Sequence, residues 1–301
     1  GTVTNRKATI AIRKASWGNG TALAGAHFTV RLANGEPFLD GAIEKHLTTD
    51  ASGIARADAP GAASDGMSNE LAGAVEPGQT YVITETQAPA GYGTPDPASF
   101  TVTVADDGTL SAAGEASDAW RIDTDGGTST VTVRDKAISL QFKKVDENGE
   151  PLTGAEFTLS GTFAGGEDTR TISPAGDGAV ALSPDDMLEG EVYTLHESQP
   201  PVGYATIADL QFRVAHADDG EVRIEPIGEL PSGWTISDDG VTATAADEPV
   251  EFLIQKRSAG DGLLLANAEF SITGLFVDDE GEVTRATYSG ITNASGTVRS
   301  V

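Results

Sequence analysis

Three segments of this chain open in the same way. "IAIRKASWGNGTALAGAHFTV" (10–30), "LQFKKVDENGEPLTGAEFTL" (140–159) and "FLIQKRSAGDGLLLANAEFSI" (252–272) each run alternating apolar residues into a lysine, then a Gly-containing turn, then a strand with Ala-x-Phe. Self-similarity on this scale dictates the architecture before any single motif does, because each copy must be one supersecondary unit used again. Each reads as an opening hairpin, and the aligned lysines are Lys14, Lys144 and Lys256.

Two further recurrences set the length of the unit. "TYVITETQAPAGY" (80–92) returns as "VYTLHESQPPVGY" (192–204), which aligns Glu85 with Glu197. Asn5, Asp135 and Asp247 stand at one fixed distance before the three lysines, and the two aspartates end the strands "STVTVRD" and "GVTATAAD". The chain therefore reads as a window on a longer array: residues 1–6 as the last strand of a preceding domain, 7–136 and 137–248 as two complete domains, and 249–301 as the truncated first half of another. Adjacent domains of the same longer chain are its expected neighbours. Asn5 and Lys256 would each lack a partner in this chain, and residues after about 257 are expected to be poorly ordered or completed by another chain.

Within a unit, short alternating strands are separated by turns such as "DENGE", "ADDGT" and "SDDGV", with no sustained helical period. That pattern predicts an all-β fold of tandem β-sandwiches. Residues 57–78 are read as a loop with room for one helical turn, and "SPDDMLEG" (183–190) as a Ser-Pro helix start. With 301 residues and 39% hydrophobic content the chain can bury real cores. A formal net charge of -27 repels phosphate backbones, so nucleic acid is not an expected partner. No apolar run approaches bilayer length, so no membrane insertion is expected in this segment. The absence of cysteine removes disulfides and thiolate chemistry together.

Strand parity brings out the chemistry, since residues two apart share a face. Ile10, Ile12 and Lys14 share one, as do Ile138, Leu140, Phe142 and Lys144, whereas Lys143 points away; Val250, Phe252, Ile254 and Lys256 repeat the pattern. Tyr81, Ile83 and Glu85 share another, and so do Val131, Val133 and Asp135, and Val241, Ala243, Ala245 and Asp247. Each complete unit thus aims a lysine, a glutamate and an aspartate inward. For a single strand the simple explanation is a charged residue at the rim with its head in water. Recurrence in two units calls for more, because burying an unpaired charge costs several kcal/mol. Burial favours the neutral forms of amines and carboxyls alike, and a neutral amine is a nucleophile. Lysine against aspartic acid, with glutamate bonded to both and shuttling protons, could form an amide and expel water.

At these residues the chain resembles the CnaB-type domains, the B-repeats of the collagen adhesin and the related pilin domains of Gram-positive bacteria. The resemblance rests on the lysine strand followed by "LAGAHF", "LTGAEF" or "LANAEF", and on the "YVITETQAPAGY" and "YTLHESQPPVGY" boxes. It implies a prealbumin-like (Ig-like) β-sandwich with a self-formed intramolecular isopeptide bond between a first-strand lysine and a last-strand Asn or Asp, promoted by an acidic residue on a middle strand. It carries over to Lys14, Glu85 and Asp135, then to Lys144, Glu197 and Asp247. The two acceptors here are Asp where most such domains have Asn, so water would leave instead of ammonia. The implied role is a structural stalk segment of an adhesin or pilin-like protein, extracellular on a Gram-positive cell wall. It would be no enzyme beyond a single-turnover crosslink and would need no cofactor and no metal. The alternative is a module without crosslinks that binds a host matrix protein or a glycan; an accessory region of a secreted enzyme is a further one.

Other signals are weaker. "HESQP" (196–200) lacks the second histidine of a zinc-protease helix and falls on a predicted strand. The turns "VADDG", "HADDG" and "VDDEG" lack the spaced ligands of a dedicated calcium loop. Trp120 and Trp234, each shortly before a last strand, are read as core or hairpin packing and not as a sugar platform.

Overall fold

A computed structural model describes residues 10–38, 41–57, 75–113, 117–125, 128–182, 186–251, 253–277 and 283–299. The first repeat supplies ten strands: β1 (Ile10–Ser16), β2 (His27–Leu32), β3 (Glu44–Thr48), β4 (Ile54–Ala57), β5 (Thr80–Gln87), β6 (Tyr92–Gly93), β7 (Ser99–Val104), β8 (Leu110–Ala112), β9 (Trp120–Asp125) and β10 (Thr128–Ala137). They form one sheet in the order β4-β1-β10-β6, with β9 also on β10, and a second in the order β3-β2-β5-β7-β8. Alternation decides which side meets the other sheet. On β5, Tyr81, Ile83 and Glu85 are buried while the residues between them are partly open, and Tyr81 and Ile83 pack with Ile10, Ile12, Phe28, Val131 and Val133 in one core. Each fully buried aliphatic or aromatic side chain contributes about 1.5–3 kcal/mol.

The second repeat builds the same sandwich from β11 (Gln141–Asp146), β12 (Glu156–Ser160), β13 (Thr169–Ile172), β14 (Ala179–Ala181), β15 (Val192–Gln199), β16 (Leu210–His216), β17 (Val222–Pro226), β18 (Trp234–Ile236) and β19 (Thr242–Asp247). Its sheets run β14-β11-β19-β18 and β13-β12-β15-β16-β17. In both repeats the first and last strands lie side by side and parallel. Lys14 is paired with Val133 and Ser16 with Asp135 on β1 and β10; Lys144 is paired with Ala245 and Asp146 with Asp247 on β11 and β19. Lysine and aspartate therefore sit one pleat apart on the same inward face.

The third repeat forms β20 (Leu253–Gln255), β21 (Glu269–Val277), β22 (Val283–Ile291) and β23 (Thr297–Arg299), paired β20 with β23 and β21 with β22. These pairs repeat β1 with β4 and β2 with β3. The opening strands of this repeat form within residues 253–299, and a self-contained third sandwich does not. No second layer closes over them, since no described strand stands where β5 and β10 stand in the first repeat, and Val250, Leu253, Leu275 and Ile291 remain exposed. No helix occurs among the described residues. Residues 186–190, expected to follow a Ser-Pro helix start, make turns, while 183–185, most of the 57–78 loop, Phe252, and the N-terminal segment with Asn5 lie outside the described residues.

Candidate crosslinking site

The backbone fixes each lysine before its side chain is considered. Lys14 N–H donates to Gly53 O (2.7 Å) and Lys14 O accepts from Leu23 N–H (3.1 Å); Lys144 N–H donates to Gly178 O (2.8 Å) and Lys144 O accepts from Leu152 N–H (3.0 Å). Gly53 has φ +70°, and a Cβ there would stand 2.6 Å from Lys14 O, so only glycine fits beside the lysine. Lys256 keeps the same lock, donating to Gly296 O (2.8 Å).

The side chains then converge from three strands. Lys14 is wholly buried, as are the side chains of Glu85 and Asp135, and its Nζ donates to Glu85 Oε2 and Asp135 Oδ1. In the second unit Lys144 Nζ donates to Asp247 Oδ1 and lies 3.0 Å from Glu197 Oε1, again with all three side chains buried. A register shift between His27 and Phe28 sets Phe28 opposite Glu85, and the matching shift between Glu156 and Phe157 sets Phe157 opposite Glu197. The two phenylalanine rings form an apolar wall, with centroids 5.7 Å from Lys14 Nζ and 5.4 Å from Lys144 Nζ. These are the phenylalanines of the Ala-x-Phe motif. The repeat was visible in the sequence; its service to the lysine was not. Behind them stand Trp120 and Trp234, edge-on to Phe28 and Phe157, with indole N–H groups donating to Pro97 O and Ala208 O, both at 2.7 Å. The tryptophans are core residues, as read from the sequence.

The electrostatics follow from burial. Glu85 is held well above the usual carboxylate range, first by loss of solvent and further by neighbouring Asp135, with Lys14 opposing. Asp135 is pushed up to about 6, again by burial against the pull of Lys14. Asp247 moves upward from the same cause, against Lys144. Asp135 Oδ2 and Asp247 Oδ2 are buried without a hydrogen-bond partner, and an ionised carboxylate with a bare oxygen in such surroundings is costly. The two units differ in the donors that meet the glutamate. Glu197 Oε2 accepts from Ile207 N–H (2.9 Å); the position equivalent to Ile207 in the first unit is Pro95, which has no N–H to give, while Glu85 Oε1 and Glu197 Oε1 are both buried without a hydrogen-bond partner.

Chemically, an amine against a carboxyl raised by burial, with a second buried carboxyl beside it, brings together the groups that a condensation requires. In such a condensation Lys Nζ would bond to Asp Cγ, one Asp oxygen would depart as water, and the glutamate would pass a proton from nitrogen to the leaving oxygen. Lys256, by contrast, is solvent-exposed. His196 on β15 makes an exposed 2.7 Å pair with Asp209. The turn of "VADDG" is closed by Asp107 Oδ1 accepting from Thr109 N–H (3.0 Å). Among the described residues no group of three or more His, Asp or Glu is placed to hold a metal, and no helix is long and apolar enough to cross a membrane.

Fold and site together define a class of protein: tandem all-β sandwiches, each with a buried lysine between two acids where its first and last strands meet. The model of the SpaA prealbumin-like fold domain matches residues 8–117 and again 138–227, and the chain belongs to that family. This agrees with the CnaB-type resemblance read from the sequence. Curated proteins gave no match. Similar solved structures include a C-terminal fragment of the pilus adhesin SpaC from Lactobacillus rhamnosus GG (20% identity, covering 81% of this chain and 98% of that one, TM-score 0.39). The Bacillus anthracis TIE protein is 21% identical, with 97% of this chain and 42% of that one covered and a TM-score of 0.34. A streptococcal ancillary pilin is 17% identical, with coverages of 81% and 62% and a TM-score of 0.36. Superposition at this level adds nothing to the family assignment.

Proposed function

We propose that this chain is a load-bearing stalk segment of a Gram-positive cell-surface adhesin or pilin-like protein, its two complete sandwiches each stapled by a self-formed isopeptide bond, Lys14–Asp135 and Lys144–Asp247. Glu85 and Glu197 carry the protons of the two condensations. The observation that supports this is the equivalent placement of two buried triads, each on the first, a middle and the last strand of its own sandwich. A tie between the first and last strands is the economical way to stiffen a sandwich, because tension entering at one strand leaves through the other without loading the chain between. Domain limits near 136 and 248 follow from the same reading.

The test is the intact mass of the denatured protein beside Glu85→Ala and Glu197→Ala. The expected result is a mass low by two waters, with one water restored in each variant. A full mass in the unsubstituted protein would leave the sandwiches standing and turn the triads into ordinary buried polar clusters, making a crosslink-free module that binds a matrix protein or glycan the better reading.

A further inference from the structure

The loop that follows Glu85 is held by the second sandwich. Gly91 N–H donates to Met187 O, and Gly91 O accepts from Ile138 N–H, both at 2.8 Å. Thr94 N–H donates to Glu189 Oε2 (2.5 Å) and Thr94 Oγ1–H to Glu189 Oε1 (3.1 Å). A Cβ at Gly93 would stand 2.7 Å from Val222 Cγ1, so the approach of the two units needs glycine there. Beside these contacts Lys136 Nζ donates to Asp219 O (2.8 Å) and lies 2.9 Å from Glu221.

Glu189 is itself well fixed. Its side chain is only 16% exposed and lies 3.3 Å from His216 Nδ1. The preceding Leu188 N–H donates to Tyr193 Oη (2.9 Å), which in turn donates to Thr162 O (2.7 Å). A cavity of about 400 Å3 lies at this junction, with Glu85, Ala88 and Thr94 on one side and Leu188, Glu189 and Glu191 on the other. The first triad thus borders a space whose far wall belongs to the second unit. Glu85 receives no backbone donor such as Glu197 has from Ile207.

We propose that Glu189 is a positioning residue for the first unit's crosslink: from across the junction it fixes the loop after Glu85, so that Lys14 and Asp135 join efficiently only once the second unit has docked. Burial is the main influence raising the Asp135 carboxyl, and the Glu189 carboxylate adds to it. The second unit's bond needs no such help, so the two crosslinks mature in a set order. This inference rests on the crosslink reading above.

The experiment is a time course of newly synthesised full chain, unsubstituted and with Glu189→Ala or Glu189→Gln, in which branched peptides joining Lys14 to Asp135 and Lys144 to Asp247 are quantified separately. The expected result is a Lys14–Asp135 bond slowed about ten- to a hundredfold in Glu189→Ala, partly rescued in Glu189→Gln, which keeps an acceptor for Thr94. The Lys144–Asp247 bond keeps its unsubstituted rate and reports that the second unit has folded. Equal Lys14–Asp135 rates in all three proteins would overturn the proposal. So would a parallel slowing of both bonds in both variants, which marks a general folding defect. Absence of both bonds from the unsubstituted protein would instead refute the crosslink reading itself, and this inference with it.

Discussion

Replacing Glu85 by Gln keeps the shape of the first triad and removes its proton carrier, so it separates the bond from the packing around it. Lys14 and Asp135 are 121 residues apart in sequence, and closing a loop of that length in the unfolded chain is worth about 5 kcal/mol in the chain-entropy treatment of crosslinks. The variant loses this contribution and retains an unreacted, buried Lys14–Asp135 pair in its place. At roughly 3–5 °C per kcal/mol for a domain of this size, its unfolding transition should fall by about 15–25 °C. Differential scanning calorimetry on full chains reads the effect unit by unit: Glu85→Gln should lower one transition and Glu197→Gln the other, where the separation of 103 residues between Lys144 and Asp247 gives a similar magnitude. Intact masses of the same samples decide what each shift means. A transition that moves by less than about 5 °C although the mass shows the bond missing would refute the loop-entropy reasoning. A bond that still forms in Glu85→Gln would refute the proton-carrying role of Glu85.

Two further outcomes follow from the same geometry. In Glu85→Gln the free Asp135 acid remains, and since burial raises its folded pKa to about 6, the folded state holds a proton that the unfolded chain releases near 3.9. Its stabilisation is complete below the unfolded value and is lost as pH rises through about 6, so the first-unit transition should be higher at about pH 5 than at about pH 7.5, by roughly 1.4 kcal/mol. Thermal melts at the two pH values check this against a Glu85→Gln, Asp135→Asn protein, in which that part of the dependence should vanish; identical profiles would sink the assignment. Phe157→Ala should cost the second unit about 3–5 kcal/mol by leaving a cavity under Lys144. In denaturant the second unit's midpoint should fall while the first unit's stays in place.

Much of this was legible because period-2 alternation and repetition are local signals. Lys14, Glu85 and Asp135 could be assigned to inward faces from the residues two positions away, and the recurrence at Lys144, Glu197 and Asp247 showed that the pattern was no accident of one strand. The parallel pairing that sets Lys14 one pleat from Asp135 could not be read this way, since nothing within either strand states which strand lies beside it. The register shift before Phe28 is likewise a property of two strands at once. The third repeat marks the same boundary from the other side. Its hairpin, its glycine lock at Gly296 and its Lys256 backbone all form from nearby sequence, whereas the burial of Lys256 would need strands that no local pattern can supply.

The two triads also show how a single neighbouring residue can shift the burden of holding a site. Glu85 and Glu197 occupy equivalent positions, but Ile207 offers a backbone N–H to Glu197 and Pro95 offers none to Glu85. Each glutamate keeps one bare buried oxygen, Oε1, and they differ in what meets the other: Lys14 Nζ at Glu85 Oε2 and a backbone N–H at Glu197 Oε2. In the first unit the loop through Gly91, Gly93 and Thr94 is held against the second unit, Gly91 by Met187 and Thr94 by Glu189, with Val222 close to Gly93. The exchange of isoleucine for proline thus moves part of the support for one triad out of its own domain. If the first unit closes its crosslink, the junction belongs to that reaction, and the sequence change stands where the two units meet.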